Sequence, residues 1–159
     1  MSGKPVKGIL LLAFGGADSM ESVEPFVKNV LKGRIPTQEL IDKARERYRL
    51  IGGKSPLLDL TLAQGKAVTD MLNADPEARY EYRAYVGMRY WHPYIAETVG
   101  KMKADGVDEA IAVIMSPFLS LVATGAYIED LEAAVGVHGG PSVEMLGSWH
   151  MERPFRDLV

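Results

Sequence analysis

The stretch YVGMRYWHP, residues 85–93, places an arginine, two large rings and a histidine directly behind a glycine. The segment before that glycine reads as the end of a strand. Arg89 carries a rigid guanidinium fork, which suits either a structural carboxylate or, bidentately, the carboxylate of a ligand. Tyr90 and Trp91 could plug a core, flank a phosphate grip or wall a flat ligand. His92, just before Pro93, is expected to cap the following helix or to bond structurally, ahead of any metal role.

Other chemistries are tested by spacing. GGKS at residues 52–55 resembles the end of a phosphate loop, but Tyr48 stands where the first glycine should be and Pro56 follows the serine, so that reading fails. Gly15 and Gly16 could approach a pyrophosphate, yet they are followed by Ala17 and Asp18 and not by the full G-x-G-x-x-G pattern. His92, His138 and His150 are far apart in the chain, and no G-x-S-x-G elbow occurs, so no catalytic or metal-binding residue is assigned.

Composition narrows the class further. A chain of 159 residues with net charge -3 suits one α/β domain and lacks the basic excess of a nucleic-acid binder. The absence of cysteine fits a reducing compartment. The apolar run GILLLAF is too short to span a membrane and reads as a strand. A cytoplasmic protein, with at most peripheral membrane contact, is expected.

The elements that must position these groups alternate. Strands are expected at Gly8–Phe14, Tyr80–Val86, Glu109–Met115 and Ser142–Leu146. Three helices separate the first two strands. The first carries Val23, Phe26, Val27, Val30 and Leu31 behind a Ser22 cap. The second opens at Thr37 and buries Leu40, Ile41, Ala44 and Tyr48. The third follows Ser55 and Pro56, with Leu57, Leu60, Ala67, Val68 and Met71 expected inward and Gln64 set in the middle of that stripe. Helices are also expected at Pro93–Asp105 and Thr124–Val135. The pattern predicts an α/β fold: an open parallel sheet of about four strands, one doubly wound half with flanking helices. The closing RPFRDLV reads as a helix cut short, with more protein expected beyond it.

Ligands of open parallel sheets gather outside the carboxyl ends of the strands. Here those ends carry Phe14-Gly15-Gly16, Gly87 to Trp91, Ser116 to Ser120 and Gly147 to Trp149. They are rich in rings with a few donors, as in a pocket for a large, mostly apolar ligand.

Four stretches, LLLAFGGADSMESVEPFVKNVL, YRLIGGKSPLLDLTLAQG, YVGMRYWHPYIAETVGKMKADGVDEAIAV and SPFLSLVATGAY, together resemble the ferrochelatases, metal chelatases (lyases) that insert ferrous iron into a porphyrin in heme biosynthesis. The resemblance covers the amino-terminal half of that family's length. It implies two similar doubly wound halves with the porphyrin between them. By matching positions it places Phe14, Gly15, Gly16, Ser55 and Gln64 beside the macrocycle, Arg89 and Tyr90 at its edge or propionates, and Tyr48 at the mouth. Ser120 and Thr124 belong to the third strand-end loop, where Leu119 stands in place of a common tyrosine.

The resemblance also implies that the metal-facing histidine lies in the other half. No resident cofactor is expected, ferrous iron being a substrate, and the chain alone is expected to be inactive. Its partner would be the carboxyl-terminal half or a second copy. The alternatives are a half-length, self-dimerising chelatase of the sirohydrochlorin type, or a non-catalytic tetrapyrrole- or nucleotide-binding domain.

Overall fold

The computed structural model describes residues 4–118 and 124–157. Its centre is β1, Val6–Ala13, whose side chains alternate between two buried faces. Leu10 and Leu12 enter one core, while Ile9 and Leu11 enter the other. A strand covered on both sides has no polar face, which is why this run is continuously apolar.

Three parallel partners complete a four-stranded sheet in the order β2-β1-β3-β4, with β2 at Glu81–Met88, β3 at Glu109–Ile114 and β4 at Ser142–Leu146. The expected α/β class and parallel sheet are therefore present. Helices α4 (Ile95–Ala104) and α5 (Gly125–His138) bring Ile95, Val99, Met102, Tyr127, Leu131 and Ala134 into the core with Leu10 and Leu12. On the opposite face lies α3, Leu57–Asn73, which is preceded by α1, Val23–Val30, and α2, Gln38–Leu50. A short α6, Arg153–Arg156, follows β4.

Two details of the helices differ from the sequence reading. Ser22 holds the position before α1 without capping it, because its hydroxyl donates to the Asp18 carboxylate instead. That bond, its largest influence, holds the Asp18 carboxyl below its ordinary range. Thr37 does cap α2, accepting from the Leu40 N–H at 3.3 Å, but Leu40 itself is exposed.

The larger correction concerns α3. Its buried line is Thr61, Gly65 and Thr69, with Leu57, as expected, and also Leu58 and Leu72 packed part-buried on the same core, whereas Leu60, Val68 and Met71 are 58, 41 and 78% exposed. Small residues face the sheet because the helix lies close to it: a Cβ on Gly65 would stand 3.0 Å from Ala84 Cβ and 3.1 Å from Leu11 Cδ1. The threonines remain satisfied there by returning their hydroxyls to Leu57 O (2.7 Å) and Gly65 O (3.1 Å). A hydrophobic stripe marks the inward face only when the neighbour leaves room for large side chains. Here it does not.

Two predictions follow from this packing. Gly65→Val forces α3 away from β1 and β2, and thermal or urea unfolding should show a loss of about 1–3 kcal/mol or more. The second concerns the Tyr85 phenol, which donates to Asp105 Oδ2 at 3.0 Å and is pushed up to about 12, first by burial and then by that carboxylate. Its contribution is complete below its ordinary value near 10 and disappears as pH rises through about 12. Stability should therefore fall by up to roughly 3 kcal/mol across that window, and the fall should be smaller in Tyr85→Phe, as followed by denaturant unfolding at stepped pH.

Candidate functional site

The carboxyl end of β1 runs into a turn that has almost no free volume. Gly15 adopts φ +98°, a conformation glycine takes without strain. A Cβ on Gly16 would fall 2.5 Å from both Cβ and Oγ of Ser55. Two residues from the segment between β1 and β2 lock this turn. The Ala17 N–H donates to the Tyr48 hydroxyl at 2.8 Å, and the Ser55 N–H donates to Ala17 O at 2.8 Å. Ser55 Oγ also accepts from the Leu57 N–H at 3.2 Å, which helps start α3. Tyr48 and Ser55 thus shape the mouth through its backbone.

The β1–β2 ladder continues past the strands, with Arg89 N–H donating to Ala13 O and Tyr90 N–H to Phe14 O, each at 3.0 Å. Register alone therefore stacks Tyr90 on Phe14, their ring centroids 4.6 Å apart. Phe26 from α1 meets Phe14 edge-on at 6.3 Å. Asn29 secures α1 to the same loop by donating to the Tyr94 hydroxyl at 2.7 Å and to Tyr90 O at 3.3 Å. The Phe14 ring is still 46% exposed, a large apolar surface kept at the rim.

Arg89 takes the structural partner that the sequence left open. Its Nε donates to Asp130 Oδ2 at 2.8 Å, and its side chain is only 8% exposed. The guanidinium also lies 4.9 Å from the Tyr90 ring centroid and 5.6 Å from that of Tyr127. His92 behaves as expected, bonding Glu97 Oε2 through Nδ1 at 3.0 Å, while Glu97 also accepts from the Tyr94 N–H at the start of α4.

Four depressions adjoin these groups, one of them, of about 400 Å³, lying between α4 and α5 beside Arg89, Tyr94 and Asp130. Of the others, one of about 350 Å³ is lined by Phe14, Leu57, Arg89, Met115, Ser116 and Tyr127. A second, of about 290 Å³, lies on the other side of Phe14 between α1 and α2, among Phe26, Val30, Leu31, Leu40 and Tyr48, with Arg47 beside them. A third, of about 600 Å³, is more polar and gathers Lys28, Asn29, Lys32, Arg89 and Tyr90 with one carboxylate, Asp130. Phe14 therefore separates two apolar hollows, while Arg89 borders both an apolar hollow and a basic one.

Of the expected site residues, Phe14, Gly15, Gly16, Tyr48, Ser55, Arg89 and Tyr90 converge on one rim. Gln64 is exposed on α3, two turns beyond Leu57, and among the described residues no hydrogen bond joins it to the rim. Thr124 is buried at the start of α5 and lines a hollow of about 70 Å³ with Phe118 and Ser148. Ser120 and Leu119 lie outside the described residues. Among the described residues no three histidines or carboxylates come together as a metal-binding group.

The sequence reading missed Tyr127, Lys28 and Lys32. Tyr127 had one signal, its place in the first turn of a helix that opens at the rim. Burial pushes its phenol up to about 12, so at neutral pH it is a proton donor and not a base.

The locked turn gives a direct test. Tyr48→Phe removes the acceptor of the Ala17 N–H, and unfolding should show a loss of about 1 kcal/mol. Amide exchange should increase at residues 15–17 more than in the sheet.

Comparison with known proteins adds identity to this geometry. The ferrochelatase family model matches residues 6–159. A ferrochelatase of Herpetosiphon aurantiacus is 35% identical over 154 residues, covering 95% of this chain and 49% of the relative. A coproporphyrin III ferrochelatase of Geobacillus thermodenitrificans is 36% identical over 152 residues, covering 96% and 48%. The chain spans about half the length of the curated relatives it matches. A solved cobalamin-biosynthesis CbiX protein of Marinobacter aquaeolei matches 96% of this chain and 88% of its own at a TM-score of 0.46 and 12% identity. The chain, matched along nearly all its length, belongs to the ferrochelatase family.

Proposed function

We propose that this chain forms one wall of the porphyrin cleft of a ferrochelatase that inserts ferrous iron into a porphyrin in heme biosynthesis. The observation that carries the reading is the exposed Phe14 ring between two apolar hollows, on a chain of this family. A flat macrocycle gains from such a surface through burial of its faces, at roughly 25 cal/mol per Å² of apolar area.

Insertion of a metal needs the macrocycle held and bent, two pyrrole protons accepted, and a divalent ion delivered free of its water. The rim contributes to the first of these. Phe14 and Tyr90 give a rigid wall, and the Gly15-Gly16 turn beside them is packed tightly against Ser55 and Trp91, which fixes where Phe14 stands. The basic hollow with Lys28, Lys32 and Arg89 receives propionates. Arg89 shares its charge with Asp130 and Lys28 with Glu24, so Lys32 supplies much of the attraction. A porphyrin with more carboxylates is favoured on this wall over one with fewer.

The proton acceptor and the ion path are assigned to the remainder of a ferrochelatase-length polypeptide, and the chain by itself is inactive in insertion. No helix among the described residues is long and apolar enough to cross a membrane. Our reading further assigns the reaction to the cytoplasm, with any membrane contact peripheral.

Trp91 and Trp149 are the two tryptophans and both follow strand ends, so their fluorescence reports on the rim. Titration with metal-free coproporphyrin III should quench it, with protoporphyrin IX binding more weakly. Phe14→Ala should weaken binding at least tenfold, and Lys28→Ala with Lys32→Ala should narrow the difference between the two porphyrins. Quenching unchanged in Phe14→Ala, or ferrous insertion by this chain alone at the rate of a complete ferrochelatase, would overturn the reading.

A further inference from the structure

Arg89 borders the apolar hollow beside Phe14, the basic hollow beside Lys32 and the hollow between α4 and α5. It cannot easily move. Its guanidinium lies against two rings, 4.9 Å from the Tyr90 centroid and 5.6 Å from that of Tyr127, on a side chain only 8% exposed. Its charge is permanent.

The pair with Asp130 leaves most of this donor unused. Nε gives one bond, to Oδ2 at 2.8 Å, whereas a guanidinium has five N–H groups and holds a carboxylate best through two parallel bonds. Among the described residues nothing accepts from the terminal nitrogens. The partner is also the mobile member, because the Asp130 side chain is 45% exposed and regains water by turning outward on α5. Its departure alone would strand a buried cation, which is costly. Asp130 therefore leaves only as another carboxylate arrives.

We propose that Asp130 is a specificity-determining residue, a built-in carboxylate that holds Arg89 until a carboxylate of the bound ligand displaces it. The inference rests on the reading of this rim as a porphyrin wall and adds how the wall weighs ligand charge. A small free anion makes no better bond than Asp130 and must also give up its freedom in solution, while Asp130 is tethered at high effective concentration. It does not win. A carboxylate carried on a macrocycle already seated against Phe14 is tethered too, and it can take the two-bond fork. Arg89 thus answers to a flat face and a carboxylate together, and the exchange reduces what each ligand carboxylate gains there.

The test compares Asp130→Asn, which keeps the size and one acceptor, with the unaltered chain. Tryptophan quenching is titrated with coproporphyrin III, which has four carboxylates, and with its tetramethyl ester, which has none, in one detergent buffer. Asp130→Asn should bind coproporphyrin roughly tenfold more tightly, the worth of about one charge-assisted bond, and the ester no differently. Citrate should compete with coproporphyrin in Asp130→Asn and not in the unaltered chain. Asp130→Glu should return both properties. The melting temperature of free Asp130→Asn should fall, so its tighter binding does not come from a sounder fold. A readout on the unaltered chain needs no folded variant: the Arg89 Nε–Hε resonance should shift with coproporphyrin far more than with the ester.

The inference is overturned if Asp130→Asn binds coproporphyrin no more tightly, if it binds the ester more tightly to the same degree, or if the Arg89 resonance responds alike to both ligands. Phe14→Ala separates the two readings. Quenching that depends on Phe14 but not on Asp130 rejects the exchange and keeps the wall, whereas quenching indifferent to Phe14 rejects the wall and the exchange with it.

Discussion

The contact on which this rim depends is the approach of Ser55 to Gly16, so close that a Cβ would lie 2.5 Å from the serine side chain. The segment between β1 and β2 holds α1, α2 and α3, far more chain than a parallel crossover needs. Its return to the sheet is fixed where the Tyr48 hydroxyl and the Ser55 N–H hold the backbone of Ala17. That clasp, together with the bonds from Asn29 to Tyr94 and Tyr90, fixes α1 and α2 against the sheet and Phe26 against Phe14. The glycines matter here for close approach as much as for conformational freedom.

Polar groups at the rim are used mainly against one another. Arg89 is held by Asp130, His92 by Glu97, Asn29 by Tyr94 and Trp149 by Ile114 O. The rings are therefore presented by a rigid polar scaffold, and a rigid wall loses little entropy when a stiff ligand meets it. Trp91 is a contrast: its buried indole Nε1 lacks a hydrogen bond of ordinary geometry. Asp18 is the neighbouring carboxylate, held low chiefly by Ser22 with a smaller contribution from Trp91.

Helix α3 shows how one element can serve two surfaces. Its small residues let it lie low on the sheet with Leu57, Leu58 and Leu72 packed around them, and Leu60, Val68 and Met71 are then left outward. Close packing inside and large exposed side chains outside have the same origin. A stripe that would ordinarily mark a core face here stays exposed.

From residue order alone, the strands, their parallel pairing and the convergence of Phe14, Gly15, Gly16, Arg89 and Tyr90 at one rim were legible, because a strand covered on both sides has no polar positions and ligands gather where strands end. The family was legible in the same residues. Three matters needed the fold. The partner of Arg89 comes from a helix 41 positions away, and no local spacing foretells such a pair. Tyr48 and Ser55 proved to hold a turn, a role set by distance in space. The inward face of α3 lies about a quarter turn from the expected stripe because helix periodicity tells which residues share a face, while only the space left by Leu11 and Ala84 decides which face can enter.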